Sequence, residues 1–157
     1  MNNPLSPSAA AKEERERAAF ADFVHRSPSG ANWIRWESRP SPEPDLLCQH
    51  RTNGLIAFEL VEISDSRIAE ILSIGSKAST IAIWTEDPTA KIITKKLKAK
   101  YVTTHPIILL VYTNGALIST DDMIKPTIID LASTCSHPFH EIWLNGEESV
   151  ELLWKQA

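Results

Sequence analysis

The residues best suited to chemistry lie in one stretch, Pro44-Asp45-Leu-Leu-Cys-Gln-His-Arg-Thr-Asn-Gly-Leu-Ile-Ala-Phe-Glu59-Leu-Val61-Glu62-Ile63. Asp45 and Glu59 each interrupt an otherwise apolar run. An unpaired carboxylate in such a setting is costly, so it shifts its pKa or finds a cation. One divalent metal would satisfy both groups. The spacing also says how they would meet. Thr52-Asn53-Gly54 separates the two runs, and Asn-Gly between apolar segments signals a tight hairpin because both residues tolerate a positive φ. The stretch therefore reads as one strand opening at Asp45, a turn, and a second strand over Leu55–Ile63, with Asp45 beside Glu59. Glu62 lies three residues beyond Glu59 and falls on the other face of a regular strand, outside the pair.

The flanking elements have to hold that hairpin. Residues 1–9 are rich in Asn, Pro and Ser and read as a flexible segment. The rest, 10–157, reads as a single domain. A helix is expected from Ala10 to His25, with Phe20, Phe23 and Val24 on one side and a Glu13–Arg17 pair four residues apart. Ser27-Pro28-Ser29-Gly30 ends it, Trp33–Glu37 alternates as a short strand, and the proline-rich run 39–44 is a loop delivering Asp45. After the hairpin, Arg67–Ile74 reads as a short helix, 75–80 as loop and Ile81–Thr85 as an apolar stretch of open type. Pro88 starts a helix running to about Lys100, with Ile93, Leu97 and Tyr101 as its apolar stripe and Lys91, Lys95 and Lys98 together on another face. Ile107–Tyr112 is a continuous apolar run, as expected of a strand buried on both faces. Thr113-Asn114-Gly115 reads as a turn. Asp121 or Asp122 is expected to cap a helix through Ser133, interrupted near Pro126, and two closing strands to turn at Asn145-Gly146. The order is helix, three strands, helix, buried strand, then a further helix and strands: an α/β fold with a mixed sheet.

Composition narrows the function classes. With 157 residues, 43% apolar and 23% charged, the chain is an ordinary globular one. A net charge of −4 argues against wholesale coating by nucleic acid while leaving room for a local basic face. No stretch suggests a membrane span or a secretory leader, so a cytoplasmic protein is expected. Cys48 and Cys135 lack CxxC spacing and read as free thiols. His137-Pro-Phe-His140 reads as a surface loop rather than a metal site, and the five tryptophans as packing residues. There is no Gly-rich phosphate loop, and no Ser or Cys has a triad partner. The bland alternatives are a Pro-Asp that only organises a loop, a Glu59 paired with a buried base, and a lysine face that is simply solvated.

Pro44-Asp45, a hairpin and Glu59 resemble the PD-(D/E)xK, or restriction-endonuclease-like, nuclease superfamily, whose motif ends in an acid, any residue and Lys. Val61 stands at the Lys position. The resemblance covers about Glu37 to Tyr112 and implies an αβββαβ core, here with an additional C-terminal helix and strands. It implies that Asp45 and Glu59, with the Leu60 backbone carbonyl, bind Mg2+ or Mn2+, and that Glu16 or Glu37 adds a further acid. The missing lysine would come from the following helix, from Lys91, Lys95 or Lys98, with Lys95 the catalytic choice. The same three lysines would contact DNA or RNA, the substrate being a nucleic-acid phosphodiester. The alternative is a nuclease-fold module that has lost hydrolysis and serves in binding. A homodimer is left open.

Overall fold

The computed structural model describes residues 4–64, 87–114 and 119–157. The expected helix Arg67–Ile74, the loop 75–80 and the apolar stretch Ile81–Thr85 lie outside the described residues, as does Gly115.

Helix α1 (Pro7–Arg26) begins before the expected Ala10, because Ser6 caps it with its Oγ accepting from the Ala9 N–H and Pro7 sits where no N–H is required. Its buried residues are Glu16, Phe20 and Phe23. The chain leaves α1 through a 3-10 turn at Gly30–Asn32. A Cβ on Gly30 would stand 1.7 Å from the Val24 carbonyl oxygen, so only glycine lets the turn lie against the helix end. Gly30→Ala is accordingly expected to lower the melting temperature sharply in a thermal scan. Gly54→Ala, at a positive φ but with open space around it, is expected to cost only about 1–2 kcal/mol.

Strands β1 (Trp33–Ser38), β2 (Leu46–His50) and β3 (Gly54–Ile63) form an antiparallel meander. The turn between β2 and β3 lies one residue earlier than the expected Thr52-Asn53-Gly54, over residues 51–53, and of Asn53 and Gly54 only Gly54 takes a positive φ, at 78°. The His50 ring stabilises this loop, its Nδ1 accepting from the Thr52 and Asn53 amides. Helix α2 (Thr89–Lys98) then leads to β4 (Ile107–Thr113), which pairs parallel to β3. Helix α3 (Asp121–Thr134) leads to β5 (Phe139–Asn145), parallel to β4, and β6 (Val150–Lys155) closes antiparallel on β5. The result is one six-stranded mixed sheet in the order β1-β2-β3-β4-β5-β6.

Two details of α3 depart from expectation. Neither acid caps it: Thr120 is the N-cap, and the buried Asp121 carboxylate instead accepts from the Glu147 and Glu148 amides of the β5–β6 connection. Nor does Pro126 interrupt the helix, since α3 continues through it to Thr134. The β5–β6 turn is accordingly wider than Asn145-Gly146, closing through Gly146 N–H to the Ser149 carbonyl. A side chain on Gly146 would run into Asp121, its Cβ 2.2 Å from Oδ2.

Alternation along β3 divides the core. Ile56, Phe58 and Leu60 face α1 and pack with Phe20 and Phe23, whereas Ala57, Val61 and Ile63 face α2 and α3 and pack with Ile93, Leu97, Ile124 and Ile128. Helices thus cover both sides of the sheet, and β4 is buried on both, as its unbroken apolar run requires. Among the described residues no helix is long and apolar enough to cross a membrane.

Candidate active site

The β2–β3 register pairs Leu46 with Phe58, so the next residues outward, Asp45 and Glu59, stand opposite each other. They are tied reciprocally: the Asp45 N–H donates to Glu59 Oε2 at 3.1 Å, and the Leu60 N–H donates to Asp45 Oδ2 at 2.9 Å. The loop before Asp45 is anchored as well. The Arg39 N–H donates to the Asp45 carbonyl at 2.9 Å, and the Val102 N–H donates to the Pro42 carbonyl at 3.0 Å. In a strand the N–H and C=O of one residue point to the same edge. The Leu60 carbonyl therefore points with its N–H toward the β2 side, where β2 has no residue left to pair with it.

Glu59 shares the inner face with Ala57 and Val61, is only 5% exposed, and needs a counter-charge. Lys96 of α2 supplies it, with Nζ 2.7 Å from Oε1. From α1, Lys12 places its Nζ 3.7 Å from Asp45 Oδ1 and equally far from Glu16 Oε2. Three carboxylates and two ammonium groups thus gather where β2 begins. The buried Tyr101 hydroxyl adds a polar atom with no hydrogen-bond partner of regular geometry.

The carboxylates titrate accordingly. Burial first, then contact with Asp45 and its charge, push Glu16 up to about 8. Glu59 is also raised, by burial and by Asp45, against the pull of Lys96. Burial would lower Lys12, but the charges of Asp45, Glu16 and Glu59 outweigh it and hold its pKa up. Burial, then the charges of Glu59 and Asp45, raise Tyr101. A carboxyl whose folded pKa lies above its unfolded value binds an extra proton in the folded state, so its stabilisation is full below the unfolded pKa and is lost as pH rises through the folded one. The melting temperature is therefore expected to fall as pH rises from 5 toward 8.5, through the window set by Glu16, and Glu16→Gln is expected to flatten that slope.

Of the residues singled out in the sequence, Asp45, Glu59 and the Leu60 carbonyl come together, and Glu16 joins them. Glu37 does not: it sits opposite Leu47 on the outer strand, with a largely exposed carboxylate 3.4 Å from Arg39. Lys91, Lys95 and Lys98 are all exposed on α2, and the lysine that reaches Glu59 is Lys96. Its helical phase was the available signal. Lys96 lies three residues after Ile93 and one before Leu97, at the border of the buried stripe, from where its stem can run along the core edge. Lys12 carried no comparable mark, because what brings it to Asp45 is the packing of α1 on the sheet. Val61 is a core residue facing α2. Both nitrogens of His137 are engaged with backbone groups, and Cys48 and Cys135 are free thiols.

Among the described residues no three His, Cys, Asp or Glu side chains converge as a ready metal-binding group. An ion placed between Asp45 and Glu59 would have two carboxylates and the Leu60 carbonyl as its protein donors. That suits Mg2+, which commonly rests on one or two carboxylates and keeps several waters. Comparison with protein-family models, curated proteins and solved structures returned no match.

Proposed function

We propose that this chain is a divalent-metal-dependent hydrolase of nucleic-acid phosphodiesters, a divergent nuclease-like domain of the PD-(D/E)xK kind. The observation that carries the reading is the Lys96 ammonium 2.7 Å from Glu59, beside Asp45. It returns to the carboxylate pair the cation that Val61 cannot provide. The order α1-β1-β2-β3-α2-β4 among the described residues, with β3 and β4 parallel and the acids just before β2 and within β3, supports the same reading.

In this account Asp45, Glu59 and the Leu60 carbonyl would hold Mg2+ or Mn2+. Such an ion, when bound, supplies a water of lowered pKa and neutralises charge growing on a phosphate. The chain's own groups do the rest. The Leu60 and Asp45 amides fix the two carboxylates, so their oxygens need not reorganise. Lys96 opposes the upward shift that burial gives Glu59 and sets a positive charge where a pentavalent phosphate would gather negative charge. Glu16, protonated more readily than an ordinary carboxyl, is placed to exchange a proton beside Asp45.

A second reading, a binding module without hydrolysis, draws on the fact that Lys12 and Lys96 already neutralise much of the carboxylate charge. Cleavage assays on single- and double-stranded DNA and RNA with Mg2+ or Mn2+ separate the two. Hydrolysis that is abolished by chelator and lost in Asp45→Ala and Glu59→Gln is expected. No cleavage of any substrate by folded protein would remove the hydrolase reading and leave the module.

A further inference from the structure

The two lysines at the carboxylate pair are held differently. Lys96 is 27% exposed and within hydrogen-bond distance of Glu59. Lys12 is 61% exposed and at 3.7 Å lies beyond hydrogen-bond reach of either acid it faces. One ammonium is held at hydrogen-bond distance, and the other, more exposed, stands at longer range between two acids.

The surroundings of Lys12 show where that anion would lie. No residue of β2 pairs with β3 beyond Phe58, so the edge of β3 opens after Glu59. A cleft of about 240 Å3 follows that edge past Leu60 and Glu62, with Lys12 and Arg15 of α1 on one wall and Lys96 of α2 on the other. It is smaller than the roughly 300–1,000 Å3 of ordinary ligand pockets, so it suits a phosphate with its sugar rather than a larger group. The Asp45 and Glu59 side chains are recessed, at 12% and 6% exposed, and adjoin the cleft through Lys12 and Lys96, which line it. A cleft of this size between two helices fits one nucleotide of a lone strand better than a duplex.

We infer that Lys12 and Arg15 bind the phosphate neighbouring the scissile one on single-stranded nucleic acid, with Lys12 turning from Asp45 and Glu16 to that phosphate. This rests on the reading of Asp45, Glu59 and Lys96 as a phosphodiester-hydrolysing site. The cleft's cations face carboxylates on every side, Glu16 and Glu62 among its lining, which keeps binding to a free anion weak and favours a strand held at several points.

The test is fluorescence anisotropy with the full chain carrying Glu59→Gln, which slows hydrolysis, and a labelled short single-stranded DNA in chelator. Adding Lys12→Met is expected to weaken binding about tenfold and to lower the slope of log affinity against log salt by about 0.7, the value of one phosphate contact on a single strand. Arg15→Gln is expected to act in the same direction. The same sequence as a blunt duplex is expected to bind more weakly than the single strand. Single-strand binding and salt slope unchanged by both substitutions would overturn the assignment of Lys12 and Arg15, while metal-dependent cleavage by the wild type would leave the hydrolase reading standing. Tighter binding of the duplex would overturn the single-strand assignment. No binding of either oligonucleotide, together with no cleavage, would overturn both.

Discussion

Lys96→Met is expected to slow metal-dependent phosphodiester cleavage by about 10²–10³, the usual cost of removing one preorganised charge from a site of this kind. Two effects combine. The substitution removes the positive charge nearest the carboxylate pair, and it leaves Glu59, 5% exposed, without its main counter-ion. Glu59 already sits above the ordinary carboxylate range through burial and the charge of Asp45, so losing Lys96 takes its pKa further up. The activity loss should accordingly be greatest at low pH and partly recover as pH rises. Lys95→Met is the matched control. Lys95 neighbours Lys96 in sequence but is exposed, and its removal is expected to leave the rate near wild type. Steady-state rates across pH for both variants, with circular dichroism to confirm folding, make the comparison. Equal losses in the two would mean that a general positive field, not the Glu59 contact, matters.

The largest stability effect is expected at Phe20. Its side chain is fully buried, and its ring meets those of Phe23, Trp33, Trp36 and Phe58 at centroid distances of 4.8–6.1 Å. Deleting a buried phenyl ring costs about 3–5 kcal/mol, a large share of the 5–15 kcal/mol that keeps a typical domain folded. Phe20→Ala should therefore shift the urea midpoint strongly downward. The same residue fastens α1 to the sheet, and α1 carries Glu16 and Lys12 to Asp45. A milder Phe20→Leu change is thus expected to weaken the site along with the fold. A shift below about 1 kcal/mol for Phe20→Ala would mean that the aromatic cluster is not what holds α1 in place.

The hairpin was legible because its signals are local. Alternating apolar residues, a Gly able to take a positive φ and two misplaced carboxylates all lie within Asp45–Ile63, and register alone then puts Asp45 opposite Glu59. The buried β4 and the span of α2 from Thr89 were legible for the same reason. Less visible was everything set by packing between distant segments. Asp121 looked like a helix cap by composition, yet its carboxylate serves two amides of the β5–β6 turn. The lysine in contact with Glu59 was missed for a similar reason. Grouping Lys91, Lys95 and Lys98 selects the solvated side of α2, whereas a charge serving a buried acid has to sit at the edge of the apolar stripe, where Lys96 is. Lys12 could be placed only once α1 was seen to lie across the Phe58–Leu60 face of the sheet.

The most direct test of the account is calorimetric titration of Mn2+ and Mg2+ into the wild-type protein beside Asp45→Ala and Glu59→Ala, with melting temperatures recorded on the same samples. The account predicts saturable binding to the wild type, a rise in its melting temperature with metal, and loss of both in each variant, since an ion that binds only the folded state stabilises it by mass action. Equal weak heats and unchanged melting in all three proteins would contradict it. Asp45, Glu59, Lys12 and Lys96 would then be an ion-pair cluster that joins two helices to the sheet.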